Sequence, residues 1–243
     1  MMENPSNPDN RWIDVWQRKG VEITGVDLPD LIRGGGFDTG TGEISLSDWL
    51  GVARLIADKI EASAAARVIE IGCGAGAMLY PLRDVGPELY GLDYSQTLIE
   101  AARRALPQGH FHCGEAAANP FEAGFFDAAF SHSVFFYFPN LEYAGQVLRE
   151  MLRVVRAGCG RILILDVPDA AKMEACESFR RRNADPIKGY STDPQGPFRH
   201  LYFPRSFFQE FARINGLGID IFDQDIPGYP MSPFRFNVLF FYP

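Results

Sequence analysis

The sequence is short of what would tie it to a membrane, a metal or a polyanion. No charge-free apolar run approaches the ~20 residues needed to cross a bilayer, which excludes an integral membrane protein. The first ten residues have neither the basic start nor the apolar stretch of a signal peptide, so the cytoplasm is the expected compartment. Cysteine is scarce. Cys73, Cys113, Cys159 and Cys176 stand without C-x-x-C spacing, so neither a metal site nor a disulfide framework is expected, and the thiols read as buried apolar residues. Positive charge is also short: 23 Lys and Arg face 31 Asp and Glu, a net charge of −8. That balance repels nucleic acid, whose binding draws most of its affinity from cations on phosphates. The one basic cluster, Arg180-Arg181-Arg182, is too short to reverse it and reads as a solvated helix face that could also greet an anionic substrate.

What is present is a 47% hydrophobic fraction with 20 Phe, 9 Tyr and 3 Trp in 243 residues. One α/β domain with an appendage fits that length and needs no covalent staple. Residues 1 to about 46 hold a short amphipathic stretch, Arg11 to Trp16, and glycine turns at 34–36 and 40–42. They read as an N-terminal appendage or lid, with Trp12 and Trp16 as docking residues. The domain proper is placed at 47–243. Its first helix is expected from Ser47 to about residue 62, with Trp49, Val52, Ala53, Ile56 and Ile60 on one face.

From residue 68, strand-like apolar runs alternate with helical patterns: 68–71 then 80–85, 89–92 then 97–105, 110–113, 125–130 then 144–155, and 161–167. Alternation of this kind predicts a parallel sheet covered by helices on both faces. Residues 168–204, with Pro186, Pro194, Pro197 and Pro204, interrupt the pattern where a cap over a site fits. A helix from Ser206 follows, with Phe207, Phe208 and Phe211 facing inward. Runs at 219–222 and 236–242 then close the chain, with no room for a helix between them, so they must pair antiparallel.

The first strand runs into Gly72-Cys73-Gly74-Ala75-Gly76, where the backbone can turn sharply and approach a ligand with no Cβ in the way. Gly72-x-Gly74-x-x-Ala77 also satisfies the dinucleotide fingerprint, and Asp93 lies at the ~20-residue offset where either cofactor class needs a ribose-binding carboxylate. The glycines alone leave NAD and S-adenosylmethionine (SAM) both open. Glu70, one residue inside the strand end, favours SAM, because a carboxylate there suits an ammonium and a sulfonium and repels a pyrophosphate. Its alternative is a strand-end carboxylate paired with a nearby Lys or Arg.

The motifs in order are Val68 through Gly76, Gly91-Leu92-Asp93-Tyr94-Ser95, Gly114-Glu115-Ala116 with Pro120-Phe121, Phe126-Asp127-x-x-Phe130-Ser131, and Leu148-x-x-x-Leu152-x-x-Val155. Together, over about residues 67–167, they resemble the class I SAM-dependent methyltransferases, particularly the group that includes the ubiquinone and menaquinone methyltransferases. The resemblance implies an α/β, Rossmann-like three-layer sandwich whose seven-stranded, mostly parallel sheet ends in an antiparallel hairpin. It implies SAM as cofactor, a small-molecule methyl acceptor, and release of S-adenosylhomocysteine (SAH). Carried over by position, it puts Gly72, Cys73 and Gly74 at the methionine part of SAM, Asp93 on both ribose hydroxyls and Tyr94 on the adenine. Glu115 takes the acidic position near the adenine amino group, where many relatives have Asp, with the Ala116 amide facing a ring nitrogen. Ser131 offers its backbone to the methionine ammonium.

The acceptor side is less legible. A sulfonium is an excellent leaving group, so the protein mainly aligns the nucleophile and removes its proton. His132, just after the fourth strand, is the candidate base, with an orienting or packing role as its alternative. Ser133, Phe135, Phe136, Tyr137 and Phe138 follow it, and Tyr190, Phe198, His200 and Tyr202 lie in the insertion; they read as an acceptor pocket or as core. Asn119-Pro120-Phe121 is similar to the Asn-Pro-Pro-aromatic signature of DNA and glutamine methylases, but it precedes the fourth strand and lacks the second proline. Two rival readings are an NAD(P)-dependent oxidoreductase, against which stands the absence of a Tyr-x-x-x-Lys pair, and a non-catalytic SAM-binding regulatory protein. A homodimer is left open.

Overall fold

A computed structural model of the chain describes residues 12–37, 42–183, 196 and 198–243. Its strands are β1 (Arg67–Ile71), β2 (Glu88–Asp93), β3 (His110–Cys113), β4 (Ala128–His132), β5 (Arg161–Pro168), β6 (Gly218–Asp223) and β7 (Arg235–Phe241). They form one sheet in the order β3-β2-β1-β4-β5-β7-β6. The first five run parallel, while β7 is antiparallel to both β5 and β6. The chain therefore moves outward from β1 to β3 and then returns to place β4 on the other side of β1. Ligands of open α/β sheets bind at such a reversal, outside the carboxyl ends of the strands.

The helices are α1 (Trp12–Glu22), α2 (Leu28–Gly34), α3 (Leu46–Lys59), α4 (Leu79–Leu82), α5 (Gln96–Ala105), α6 (Leu141–Val154), α7 (Met173–Arg182) and α8 (Arg205–Asn215). Alternate strand residues serve opposite faces. Val68, Phe130, Leu163 and Leu165 pack with Leu31 of α2, Trp49 and Ile56 of α3 and Ile99 of α5. Ile69, Ala129, Ile162 and Ile164 pack with Leu148 and Met151 of α6 and Phe208 of α8. This two-sided burial is what the apolar runs of parallel strands require. No helix among the described residues is long and apolar enough to cross a membrane.

The N-terminal residues carry more helix than their sequence pattern suggests. Asp27 caps α2 by accepting the Asp30 amide at 2.9 Å, and Gly34, expected in a flexible turn, is its last residue. The helix α1 runs on to Glu22 and docks on α5, where Thr97 Oγ1 donates to Gln17 O at 2.8 Å and Arg104 to Ile23 O at 2.9 Å.

Several boundaries move. Ser45, two residues before the expected start at Ser47, caps α3. The helix after the glycine turn is a single turn, because the chain first makes a Gly76 N to Cys73 O bond and becomes helical only at Leu79. The fourth strand begins at Ala128, since Phe126 is diverted into an isolated bridge with Val155.

Two side-chain expectations change as well. Cys73 and Cys176 are buried, but Cys113 is half-buried and Cys159 is exposed in the turn before β5. Arg180 is not solvated: its guanidinium bonds the buried Glu177 carboxylate at 2.8 Å, and only Arg181 and Arg182 of that cluster face water. Within 168–204 the chain forms α7, while Pro186, Tyr190, Pro194 and Pro197, like Arg11 and the Gly40-Thr41 turn, lie outside the described residues.

Candidate cofactor and acceptor site

A cleft of about 1180 Å³, its open mouth included, lies across the carboxyl ends of β1, β2 and β4. Every cofactor residue expected from the sequence lines this cleft except Ser131.

Glu70 is 3% exposed, and its Oε2 has no hydrogen-bond partner. Among the described residues no Lys or Arg forms an ion pair with it, so the alternative of a structural strand-end pair does not hold. Burial, and next the neighbouring Asp93 carboxylate, hold its pKa well above the usual carboxylate range. An uncompensated buried carboxylate of this kind is relieved by a bound cation.

The turn after Glu70 owes its shape to two glycines with different tasks. Gly72 has φ +75°, and a Cβ there would come within 2.4 Å of Val134, so packing as well as conformation requires glycine. Gly74 has φ +53°, and its missing Cβ faces open space within the cleft. Asp93, at the end of β2, accepts the Gly74 amide at 2.8 Å on one oxygen and the Ser95 amide at 2.8 Å on the other. Each oxygen keeps a lone pair for a further donor. Burial pushes Asp93 up to about 6 against the pull of those two bonds. Cys73 and Tyr94 flank it, and Glu115 and Ala116 complete the wall beyond β3. Ser131 lies behind the wall with its Oγ on Ile71 O at 2.8 Å, and its chain neighbours His132 and Ser133 line the cleft in its place.

On the side of β4 the lining changes character. His132 is 7% exposed, stacks on Phe37 at 5.6 Å and meets the edge of Trp49 at 5.4 Å. Burial lowers its pKa to about 4 against the opposing pull of Asp166, so the ring is neutral at pH 7. Tyr137 and Phe138 join it, but Phe135 and Phe136 are buried in the core. Phe198 and His200 pack on Trp12, and Tyr202 donates to Glu177 at 2.6 Å; none of these lines the cleft. Trp12 docks the N-terminal segment as expected, whereas Trp16 both docks it and faces the cleft.

Three contributors have no sequence motif: Ile13 and Phe37 reach the cleft from the N-terminal segment, and Tyr143 reaches it from the first turn of α6, where its hydroxyl donates to Glu115 Oε2 at 2.7 Å. An aromatic next to the Gly34-Gly35-Gly36 turn was the only available signal for Phe37.

The methyltransferase domain family matches residues 69–164. A demethylmenaquinone methyltransferase of Renibacterium salmoninarum is 28% identical over 130 residues, which is 54% of this chain and 53% of that protein. One of Beutenbergia cavernae is 27% identical over 182 residues, 73% of this chain and 65% of that protein. The matches thus span about half to two thirds of the length of these curated relatives. Magnesium protoporphyrin IX methyltransferase from Synechocystis PCC 6803, solved with bound SAH, superposes with a TM-score of 0.57 at 17% identity, covering 96% of this chain and 95% of that one. At that identity the likeness shows a shared fold. By motif order, matched domain and sheet topology the chain carries a class I SAM-dependent methyltransferase domain and is similar to the ubiquinone and menaquinone methyltransferase-like group, whose cofactor is SAM.

Proposed function

We propose that the chain transfers a methyl group from SAM to a small apolar or ring-containing acceptor held among Trp16, Phe37, Trp49 and Tyr137, and releases SAH. The charge of the cleft carries this reading. Glu70, Asp93 and Glu115 line it, and among the described lining residues there is no Lys or Arg. A cation is attracted to such a wall, and the pyrophosphate of a dinucleotide would meet three carboxylates without a countercharge. That observation favours SAM over NAD(P), and with it a transferase over an oxidoreductase.

The sheet order supports a division of the cleft into halves. The adenosine lies over β2 and β3 at Asp93, Tyr94 and Glu115, and the methionine lies over β1 at Glu70 and the glycine turn. The acceptor then lies over β4, at His132. In-line attack forms the bond from the nucleophile to the methyl carbon, and the carbon–sulfur pair returns to sulfur as a neutral thioether. The acceptor proton passes to the His132 imidazole. A pKa near 4 makes this a weak base at rest. The sulfonium charge vanishes as the methyl leaves, so proton uptake becomes favourable at the moment it is needed. The residues before 47 serve as a lid on the domain at 47–243, since α1 and the turn after α2 contribute Ile13, Trp16, Gly35 and Phe37 to the acceptor half.

Fluorescence titration with SAH and with NADH tests the cofactor, and methyl-labelled SAM incubated with a metabolite extract tests transfer. The expected result is SAH binding, no NADH binding and a labelled small molecule. NADH binding without SAH binding overturns the reading. SAH binding with no labelled product replaces it with a non-catalytic SAM-binding protein.

A further inference from the structure

We infer that Asp166, acting through Ser133, is a positioning residue that holds His132 in its Nε2–H tautomer and so leaves Nδ1 bare to receive the acceptor proton. The inference rests on the reading of His132 as the base.

The direction of each hydrogen bond follows from the partners. Asp166 is 1% exposed, and donors surround both of its oxygens. Oδ1 accepts from Gln224 Nε2 at 3.0 Å and faces Arg235 Nε at 3.4 Å. Oδ2 accepts from Ser133 Oγ at 2.7 Å and from Tyr229 Oη at 3.2 Å. The arginine is itself fully buried, with Nε and Nη1 lacking hydrogen-bond partners, and its charge faces the Asp166 carboxylate. With donors on both of its oxygens the carboxylate serves as acceptor, which commits the single Ser133 hydroxyl hydrogen to Asp166. The contact of 3.4 Å between Ser133 Oγ and His132 Nε2 can then be a hydrogen bond only if Nε2 carries the hydrogen.

Backbone geometry gives independent support. Three described non-glycine residues have positive φ, and two of them are Ser133 at +58° and Asp166 at +61°. Ser133 directly follows β4 and Asp166 lies in the neighbouring β5, whose register against β7 shifts between Ile164 and Val167, around Asp166. The Asp166 amide leaves the ladder to donate to Asn237 Oδ1 at 3.0 Å. Two adjacent residues in costly conformations, joined side chain to side chain beside the cleft, mark an arrangement the surrounding structure enforces. The chain acid, hydroxyl, imidazole has the logic of a catalytic triad read from its orienting end.

The test reads the tautomer directly and needs no identified acceptor. Protein labelled with ¹⁵N-histidine and saturated with SAH gives a long-range ¹H–¹⁵N correlation spectrum, with His132 assigned by His132→Gln. The wild type should show His132 as Nε2–H. Ser133→Ala should bring the Nδ1–H form into view while SAH still binds, and should lower turnover about tenfold, a fraction of the ~10²–10⁴ a positioned base supplies. Asp166→Asn, whose amide can donate to Ser133, should populate Nδ1–H as well. A wild-type Nδ1–H ring, or a tautomer indifferent to both variants, overturns the inference. His132→Ala separates the two readings: unchanged turnover with a Ser133-dependent tautomer removes the base and keeps the positioning, and lost turnover with an indifferent tautomer does the reverse.

Discussion

Over the ends of β1, β2 and β3 the cleft is made of short stretches that leave the strands directly: Glu70 to Ala75, Asp93 with Tyr94, and Gly114 to Ala116. Over β4 it is made of single residues from distant places, with Ile13 and Trp16 from α1, Phe37 after α2, Trp49 from α3 and His132 with Tyr137. The first half is acidic and the second aromatic around one imidazole. Burial acts on both and drives each toward neutrality, raising Asp93 to about 6 and lowering His132 to about 4. The same desolvation thus leaves one half waiting for a cation and the other holding an uncharged base.

If the halves divide labour in this way, the largest effect belongs to the acceptor half and should not cross over. His132→Ala is expected to cut turnover by ~10²–10⁴-fold, the range of a positioned proton acceptor, with SAH affinity unchanged. Single-turnover kinetics and calorimetry measure the two separately. A parallel loss of SAH binding would dissolve the distinction between the halves.

Asp93 gives the next largest effect, on binding. Asp93→Ala should weaken SAM by at least ~1.5 kcal/mol, more than tenfold, because two ribose hydroxyls lose a charged acceptor. The same residue sets a pH dependence. In the free protein Asp93 is protonated below about 6, and a ligand that donates to it prefers the carboxylate. Affinity is therefore present above pH 6 and lost as pH falls through it. kcat/KM for SAM, which reports the free protein, should drop up to about tenfold per pH unit below 6, while kcat holds until the His132 range near 4. Coincident profiles would mean that one group governs both halves.

The contrast also explains what could be seen in the sequence. The sheet, its terminal hairpin and the acidic half of the cleft were legible because Glu70, the glycine turn, Asp93 and Glu115 lie within a few residues of a strand end, where periodicity and spacing carry the information. Ser131, expected to act through its backbone, turns its side chain to Ile71, and the cleft wall at that strand end is lined by His132 and Ser133. Phe37 and Trp16 were not legible as site residues: their place depends on how α1 docks on α5, a contact between residues some 80 apart in sequence. Ser133 and Asp166 depend on a bulge and two positive φ angles that no propensity announces.

Within the cofactor half, the two glycines should separate stability from binding. An L-residue in the left-handed region costs about 1–2 kcal/mol, which both alanine variants share. Gly72→Ala adds a 2.4 Å clash with Val134 and should lower the unfolding free energy beyond that range. Gly74→Ala meets no protein atom within 4 Å, so its additional loss should appear in SAH affinity. Denaturant unfolding and calorimetry decide the matter, and the reverse assignment would move the ligand away from Gly74.

Tyr143 should give the smallest effect and the finest one. Its hydroxyl occupies Glu115 Oε2 at 2.7 Å, which leaves Oε1 to accept from the adenine amino group. Glu115 is half-buried, so the bond is worth about 1 kcal/mol, and Tyr143→Phe should weaken SAH about fivefold. The loss should shrink for S-inosylhomocysteine, which has a carbonyl where SAH has the amino group and gains nothing from a correctly held Oε1. Equal weakening of both ligands would show that the Tyr143 hydroxyl does not act by aligning Glu115 and that Glu115 does not read the adenine.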